Sequence, residues 1–292
     1  MATSREIQRR RKSVQNIGKV TRAMEAVSAS KMRRAQEATL RSRAYAQLAG
    51  QVMVNLRANA SAGESLHPLL SEHPQGKAGV LLVTPDRGLT GGLVLNIIRF
   101  AVREAEAAMG QDLAWVAAGK KGRDFLVRTG ADLKGAFIAI PDAPNAADVT
   151  PIARLVIDGF LGEDFSSVHL VYADFISVVK QVPVIQQLLP VVLPDDIEPS
   201  KAVYEFEPSP EEVLDEVLPA LVETRIYQAV LEAQASEHSA RMVAMRNATD
   251  AAKELVDDLT LEYNKVRQSD ITSEILDIAG GAEALRQSMQ RS

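Results

Sequence analysis

The hydrophobic residues of this chain follow two different periods. At both ends they recur every three or four residues, which is typical of helices, and in the middle they form short runs typical of buried strands. Residues 220–279 are 60 consecutive residues without Gly or Pro, and residues 4–62 lack Pro and contain only Gly18 and Gly50. All 13 prolines lie between Pro68 and Pro219. The pattern predicts a long helix at each end and a compact domain between them.

Each terminal helix carries a narrow stripe of small and medium-sized residues at heptad-like spacing. In the N-terminal helix the predicted stripe is Val14, Ile17, Thr21, Met24, Ser28, Lys31, Ala35, Ala38, Ser42, Tyr45, Ala49, Val52 and Leu56. In the C-terminal helix it is Val222, Ile226, Ala229, Ala233, Ala240, Val243, Ala252, Leu255, Leu259 and Val266. Because a whole domain separates the helices, we predict an antiparallel coiled coil in which each covers the other's stripe. A homo-oligomeric coiled coil is the alternative.

The middle of the chain alternates runs of strand length with helical stretches, which predicts a Rossmann-like α/β domain. The predicted order is strand 79–85, helix 93–109, strand 113–118, helix 121–128, strand 136–140, helix 150–161, and strands 167–177 and 182–192 paired as a hairpin. Ser209, Pro210 and Glu212 form a helix-start signal, and Pro219 predicts a kink or a restart of the helix. The predicted domains are residues 1–62, 63–200 and 209–292.

Charge is distributed unevenly along the chain. Residues 1–43 contain 12 Lys and Arg against three acids, a charge of +9, whereas the whole chain has a net charge of −5. A basic helix can bind nucleic acid, an anionic membrane or an acidic protein loop, and charge alone does not choose among them. The absence of Cys excludes disulfides and thiol chemistry. No apolar run reaches the roughly 18 residues that span a bilayer, so we expect an intracellular protein.

The motif DRGLTGG, residues 86–92, lies where a predicted strand leads into a helix. A nucleotide phosphate could bind at such a helix start, but the motif is neither G-x-G-x-x-G nor a P-loop. The alternative is that Gly88, Gly91 and Gly92 permit a tight turn between strand and helix. The four histidines and the neighbouring acidic residues form no recognisable catalytic or metal-binding motif. We therefore assign no catalytic residue, metal site or cofactor.

Three long strings resemble the γ subunit family of F-type ATP synthases. They are IQRRRKSVQNIGKVTRAMEAVSASKMRRAQ (7–36), SEHSARMVAMRNATDAAKELVDDLTLEYNKVRQSDITSEILDIAGGAEAL (236–285) and the glycine loop TPDRGLTGGLVLNI (84–97). The resemblance covers essentially the whole chain. It implies the central shaft of a rotary machine, one copy inside a ring of three α and three β subunits. The shaft would couple ion-driven rotation of a membrane c-ring to the catalytic cycle of the β subunits, with no chemistry of its own.

The resemblance also implies contact residues. It places Arg22, Ala23 and Met24 opposite the acidic lever loop of a β subunit. Contacts with α and β are implied for Arg241, Gln268, Thr272 and Glu274, and weaker ones with the β lever region for Arg87 and Thr90. The foot that meets the ε subunit and the c-ring is implied for Tyr204, Glu205, Phe206 and Glu207. For each residue, an ordinary contact within the chain or with solvent is the alternative.

Departures from the family pattern limit what is carried over. Thr90 stands where many relatives have Cys, and the short link 193–209 leaves no room for the regulatory cysteine insertion of the chloroplast form, so we expect no redox control. The family motif begins close to Met1, which predicts a peripheral protein on the cytoplasmic face of a bacterial cell membrane, attached only through its complex. Gly280 and Gly281 make the helicity of the tail doubtful.

Two other classes of function stay open at this point. A coiled-coil scaffold could bind nucleic acid or anionic lipid through its basic helix, with an affinity that falls steeply with salt. A nucleotide-dependent α/β enzyme with helical oligomerisation arms would bind its ligand through residues 78–195 alone. The γ subunit assignment itself predicts neither nucleic-acid binding nor a cofactor.

Overall fold

The computed structural model describes residues 3–59, 67–73, 75–110, 112–192 and 209–290. The helices are α1 (Ser4–Asn59), α2 (Leu93–Met109), α3 (Lys120–Thr129), α4 (Ala146–Leu161) and α5 (Pro210–Gln290), with a turn of 3-10 helix at Pro68–Leu70. The strands are β1 (Lys77–Val83), β2 (Leu113–Ala118), β3 (Asp132–Phe137), β4 (Phe165–Phe175) and β5 (Gln181–Leu189). The predicted combination of two long terminal helices and an α/β domain is confirmed.

The five strands form one sheet in the order β3-β2-β1-β4-β5. Strands β1 to β4 are parallel neighbours, and β5 returns antiparallel to β4, which confirms the predicted hairpin. The central strand β1 pairs with β2 on one side and with β4 on the other. The carboxyl ends of these parallel strands therefore lie at a single edge of the sheet.

Both faces of the sheet are covered by helices, because its central strands are apolar on both sides. Ile97 and Ala101 of α2 and Leu126 of α3 pack on one face. On the other face, residues of α4 and α5 such as Ile152 and Ile226 form a second core with the sheet. The sheet is thus sandwiched between α2 and α3 on one side and α4 and α5 on the other, as in doubly wound folds.

Several predicted boundaries in this region differ from the structure, and two of the differences have a clear physical reason. The apolar run 136–140 is not a strand throughout: β3 ends at Phe137 and Ala139 adopts a φ of +60°, which no strand residue has. Helix α4 begins at Ala146 rather than at residue 150, because the Asn145 N–H donates to the carboxylate of Asp148 at 2.8 Å and starts the helix one turn earlier.

The chain divides into two compact units. The helix-pair unit comprises Met1–Ala26 and Ala244–Ser292, and the sheet unit comprises Val27–Val243. Helices α1 and α5 each contribute one segment to both units. We describe each unit separately below.

In the helix-pair unit, α1 and α5 run antiparallel. A Cβ added at Gly18 would lie 3.4 Å from the Cβ of Ala252, and the hydroxyls of Thr21 and Thr249 are 2.7 Å apart. Nearer the N-terminus, the guanidinium carbon of Arg11 lies 5.4 Å from the centre of the Tyr263 ring. The predicted antiparallel coiled coil is confirmed.

The exact phase of the stripe was predicted only in part. Thr21, Ser28, Ala35, Ala252 and Leu259 are buried as predicted. Ile17 is 53% exposed and Leu255 47% exposed, because the seam passes through Gly18 and Val256, one position further along each helix. The predicted positions Ser42, Tyr45, Ala49, Val52 and Leu56 lie outside the residues whose side chains the structure describes.

Helix α5 begins as predicted and continues through the two glycines that made the helicity of its tail doubtful. The Glu212 N–H donates to the Ser209 hydroxyl at 3.2 Å, which caps the helix, and Pro210 is its first residue. The helix does not restart at Pro219, and it runs through Gly280 and Gly281 to Gln290. Prolines and glycines lower helix stability by limited amounts that a long helix can absorb.

Candidate functional site

Two sets of predicted contact residues lie on the surface of the helix-pair unit. Arg22 and Ala23 of α1 are exposed, and Met24 is half-buried. On α5, Gln268, Thr272 and Glu274 are exposed, as are their neighbours on the helix. The structure therefore leaves these side chains accessible to another protein.

Arg22 borders the groove between the two helices of this unit. The groove is also lined by Glu25 and Arg246, which form an ion pair across it at 2.9 Å. The seam beneath contains the paired hydroxyls of Thr21 and Thr249. Small and polar seam residues keep the two helices close together, and Arg22 lies exposed beside the groove.

The two helices of this unit carry opposite charge. The segment Met1–Ala26 contains seven basic and two acidic residues, whereas Ala244–Gln290 contains five basic and nine acidic residues. Nearly all these side chains are exposed or half-buried. Because the helices lie side by side, the pair presents one basic flank and one acidic flank.

Beyond Val266, α5 has no covered face within the described residues. Every residue from 267 to 282 is exposed, including an apolar stripe of Ile271, Ile275 and Ile278 at helical spacing. Among the predicted contact residues, Gln268, Thr272 and Glu274 lie on this segment, and the Thr272 hydroxyl donates to the Gln268 carbonyl at 2.9 Å. An exposed apolar stripe on an isolated helix is typical of a protein-binding segment.

Arg241, by contrast, is engaged inside the sheet unit. Its side chain is almost fully buried, 2.5 Å from a Glu237 carboxylate oxygen, and it donates to the Gly88 carbonyl at 3.3 Å. Burial raises the pKa of Glu237, although the positive charge of Arg241 acts in the opposite direction. Arg241 thus ties α5 to the glycine loop.

A buried histidine extends this polar cluster. The Nδ1 of His238 lies 3.4 Å from the Arg241 guanidinium, which can only donate, and its Nε2 lies 3.8 Å from Asp142. Burial and the neighbouring Arg241 lower the pKa of His238 to about 4. Lys31 lies 2.5 Å from Asp142 and its hydrogen bond lowers the pKa of that carboxyl. His238 is therefore neutral at physiological pH.

The glycine loop is held by its own aspartate. One oxygen of Asp86 accepts from the Lys120 N–H at 2.6 Å and the other from the Ala139 N–H at 2.7 Å. These bonds join the loop to the start of α3 and to the end of β3, and they explain why β3 stops early. Sequence reasoning missed this role, which only the fold reveals because Asp86 is 34 and 53 residues from its partners.

The two predicted contact residues of the glycine loop differ in accessibility. Arg87 is exposed, whereas Thr90 is buried, with 3% of its surface accessible. Between them, Leu89 has a φ of +64° and is 62% exposed. Arg87 and Leu89 are therefore the side chains that this loop presents.

A cavity of about 290 Å³ lies at the carboxyl edge of β1, β2 and β3, against α5. Its ionisable lining consists of Asp86, Arg87, Asp142 and Glu237. The three carboxylates already have partners: two main-chain N–H groups for Asp86, Lys31 for Asp142 and Arg241 for Glu237. Among the described residues no three His, Asp or Glu are grouped to hold a metal ion.

Tyr204, Glu205, Phe206 and Glu207 lie outside the described residues. Within the described part of the chain, none of the helices combines the length and the apolar character needed to cross a membrane.

These exposed surfaces are typical of a protein that contacts other proteins, and comparison with known sequences gives its class. Residues 3–285 match the family described as ATP synthase. The ATP synthase gamma chain of Herpetosiphon aurantiacus is 48% identical over 295 residues, covering 98% of this chain and 100% of the relative. That of Chloroflexus aurantiacus is 49% identical over 288 residues, covering 98% and 99%. This chain therefore belongs to the ATP synthase gamma chain family.

Solved structures share the fold. A chain of the Euglena gracilis mitochondrial ATP synthase, solved as OSCP/F1/c-ring in rotational state 3, aligns with a TM-score of 0.67 and 18% identity, covering 97% of this chain and 94% of that chain. A chain of the central stalk and c-ring of the Tetrahymena thermophila mitochondrial enzyme aligns with a TM-score of 0.58 and 24% identity, covering 78% and 99%.

Proposed function

We propose that this chain is the rotor shaft of an F-type ATP synthase. It couples rotation of a membrane c-ring to the conformational cycle of the catalytic β subunits, in either direction. One copy serves a ring of three α and three β subunits. The chain contributes no catalytic group, and its effect on ATP synthesis and hydrolysis is mechanical.

The observation that carries this proposal is the unequal charge of the helix-pair unit. Three identical catalytic subunits become different only if the element at their centre contacts each of them differently. A pair of helices with a basic flank and an acidic flank meets that requirement, because a 120° turn exchanges the flank that each subunit faces. Only a rod with threefold symmetry in shape and charge would contact all three alike.

Exposure supports the individual contacts in this proposal. Arg22, with Ala23 and Met24, contacts an acidic lever loop of a β subunit, and charge complementarity favours that pairing. Gln268, Thr272 and Glu274 contact α and β subunits through hydrogen bonds that break and reform as the shaft turns. Strong buried ion pairs would be unsuitable there, because separating one leaves uncompensated charge and costs about 3–5 kcal/mol.

The residues of the sheet unit have different roles in this proposal. Arg87 contacts the β lever region directly, whereas the buried Thr90 does so only if the loop opens. Arg241 contributes to the contact through the loop that it holds, since its guanidinium is already engaged.

Residues 63–200 form the foot, and Tyr204, Glu205, Phe206 and Glu207 contact the ε subunit and the c-ring. The shaft lies on the cytoplasmic face of a bacterial cell membrane, peripherally bound through the complex.

Reconstitution with separately purified α and β subunits tests the proposal. Native mass spectrometry should detect one copy of this chain with three α and three β subunits, and ATPase activity should depend on its presence. A homodimer of this chain with no capture of α and β would contradict the shaft function and favour the scaffold alternative.

Charge reversal tests the contact surface. The variant Arg22→Glu should assemble but show impaired ATP-driven activity, because a carboxylate then faces the acidic lever. The control Arg99→Glu changes the charge equally at an exposed position of α2. Equal activity in the two variants would remove Arg22 from the proposed contact.

A further inference from the structure

A short segment that precedes β1 is built into the core of the sheet unit. Its 3-10 turn, Pro68–Leu70, buries Leu69 completely in the core that the sheet forms with α4 and α5. The Leu69 carbonyl accepts from the Val191 N–H at 2.8 Å, two residues beyond the end of β5. We name residues 67–71 the strap, because they hold the end of β5 to this core.

His67 uses both ring nitrogens to hold the strap. Its Nδ1 accepts from the Leu69 N–H at 3.1 Å, and its Nε2 lies 3.1 Å from a carboxylate oxygen of Asp215, in the second turn of α5. A main-chain N–H can only donate and an ionised carboxylate can only accept, so Nδ1 has no hydrogen and Nε2 carries one. The strap therefore fits the neutral ring with its hydrogen on Nε2.

Protonation of His67 changes these two bonds in opposite directions. A hydrogen on Nδ1 removes the acceptor of the Leu69 N–H, and a main-chain donor beside a buried side chain is costly to leave unpaired. The positively charged ring is meanwhile attracted more strongly to the Asp215 carboxylate. Acid thus exchanges a bond within the strap for a stronger tie between His67 and α5.

The charges on α5 bear directly on this exchange. The His67 side chain is only 12% exposed, and burial lowers its pKa, whereas the charge and the hydrogen bond of Asp215 act in the opposite direction. Helix α5 also carries Glu212 and Glu216 close to Asp215, and both are exposed. Of the described charged residues, Asp215 is the one that acts on the pKa of His67, and the net shift is downwards.

The other elements beside the strap present uncharged groups to it. After β5 the strap meets the main chain of Val191, and Phe160 of α4 packs against the ring of His73, with the ring centres 4.5 Å apart. His73 and the exposed Glu72 are the other titratable residues of this described segment. His67 is therefore the titratable group whose hydrogen bonds hold the strap closed.

We infer that the strap is an acid-sensitive fastening of the sheet unit, closed while His67 is neutral and released from its cap when the ring takes up a proton. The release reaches the end of β5, because Leu69 accepts from the Val191 N–H. Since burial lowers the pKa of His67 below its ordinary value of 6.5, closure is complete above that pH and is lost as the pH falls towards the folded value. The inference does not depend on the proposed shaft function.

Hydrogen exchange of the full-length chain tests the inference, by mass spectrometry of the peptide that contains residues 69–71. The reference variant is His67→Asn, because an asparagine side chain can accept from the Leu69 N–H but does not titrate. Comparing the two chains at the same pH removes the intrinsic pH dependence of exchange. We expect similar rates at about pH 8 and several-fold faster exchange in the parent as the pH falls towards about 5.

Two further variants separate His67 from its surroundings. Asp215→Asn should move the acceleration to lower pH, since the protonated ring loses the carboxylate that favours it. His73→Gln changes the other histidine of the segment and should leave the acceleration where it is in the parent. Fluorescence of Trp115, buried in β2, reports when the whole unit unfolds. Equal exchange in the parent and His67→Asn down to that pH would overturn the inference.

Nitrogen NMR of the histidine rings provides a second measurement. The His67 signals are assigned by their loss in His67→Asn. At about pH 8 the ring should carry a hydrogen on Nε2 alone, and both nitrogens should be protonated in the pH range where exchange of the strap accelerates. A hydrogen on Nδ1 at the higher pH, or protonation of the ring with no change in exchange, would contradict the inference.

Discussion

Thr21 of α1 and Thr249 of α5 face each other across the seam of the helix pair, with their hydroxyl oxygens 2.7 Å apart. Each hydroxyl also lies within hydrogen-bonding distance of a carbonyl of its own helix, that of Gly18 at 3.1 Å and that of Met245 at 2.8 Å. Since each hydroxyl has one hydrogen, one threonine donates to its own helix and the other donates across the seam. Opposing helices are thus joined by a polar contact where most coiled coils place two apolar side chains.

We expect the single variants Thr21→Val and Thr249→Val each to lower the free energy of unfolding by about 1 kcal/mol, because one partner of a buried hydrogen bond is lost. The double variant should lower the free energy of unfolding by less than the sum of the two single losses, because it leaves no unpaired hydroxyl. Urea unfolding followed by far-UV circular dichroism measures the three values in a double-mutant cycle. Strict additivity would show that the two hydroxyls do not interact.

The variant Gly18→Ala should stabilise the chain by about 0.5–1 kcal/mol, because glycine inside a helix is unfavourable by that amount relative to alanine. The new Cβ would meet Ala252 at 3.4 Å, a close but tolerable contact. Gly18→Val should gain less than Gly18→Ala, since a β-branched side chain loses χ1 freedom in a helix. The reverse change Ala26→Gly, on the exposed side of α1, serves as the control and should lower the thermal midpoint. A destabilised Gly18→Ala variant would mean that the seam is tighter than the structure indicates.

The variant Arg241→Ala should destabilise the sheet unit by about 3–5 kcal/mol, because the buried carboxylate of Glu237 loses its cation. Trp115, the only tryptophan, is buried in β2 and its fluorescence follows unfolding of this unit. Adding Glu237→Gln to the Arg241→Ala variant should restore much of the lost stability, because the buried carboxylate is then absent. Hydrogen exchange at Leu93, whose N–H donates to the Thr90 carbonyl at 3.3 Å, should accelerate in both variants, since neither retains the bond to Gly88. Slow exchange in both would show that Arg241 does not hold the loop.

His238 should make the sheet unit less stable as the pH falls from about 6.5 to about 4. The unfolded histidine takes up a proton near its ordinary pKa of 6.5, whereas the folded one does so only at about 4. Between these values unfolding binds a proton, so acid favours the unfolded state, by roughly 3 kcal/mol over the whole range. The raised pKa of Glu237 has the opposite effect on stability. Between the ordinary pKa of this carboxyl group and its raised value in the folded chain, acid favours the folded state.

The contribution of His238 is therefore obtained as the difference between the parent chain and His238→Gln, measured by urea unfolding at several pH values with Trp115 fluorescence. The parent should lose more stability than the variant as the pH falls through this window. A His238 ring that titrates near 6.5 in a proton NMR experiment would contradict the prediction.

Much of the sheet unit could be predicted from local patterns. Helix α2 and strand β2 have the predicted bounds, because an amphipathic stretch ends at Gly110 and a short apolar run follows. The end of β3 could not be predicted, since it depends on a hydrogen bond from Ala139 to Asp86, 53 residues away. Likewise, Ile17 fits a heptad as well as Gly18 does, and only the approach of Ala252 decides which of the two faces the partner helix.

The predicted contact residues show the same limit of prediction from local sequence. Exposure of Arg22, Gln268, Thr272 and Glu274 agrees with the roles that the family resemblance implies. The burial of Arg241 and Thr90 could not be anticipated from their sequence neighbours, because their surroundings come from distant elements of the sheet unit. Ile176 and Val179 carried no motif, and their exposure at the tip of a hairpin became visible only with the sheet order.

Helix α5 contains 81 residues without a break. At 1.5 Å per residue its contour is about 120 Å long, and main-chain hydrogen bonds between residues four apart join its successive turns, except at Pro219, which has no N–H to donate. Loops are the segments of a protein that rotate most easily about their backbone bonds, and α5 has none. A twist applied at one end can therefore be taken up only as small elastic strain shared among some eighty residues. In the proposed shaft function, α5 would therefore respond to torque as a torsion spring does, along its whole length rather than at a single joint.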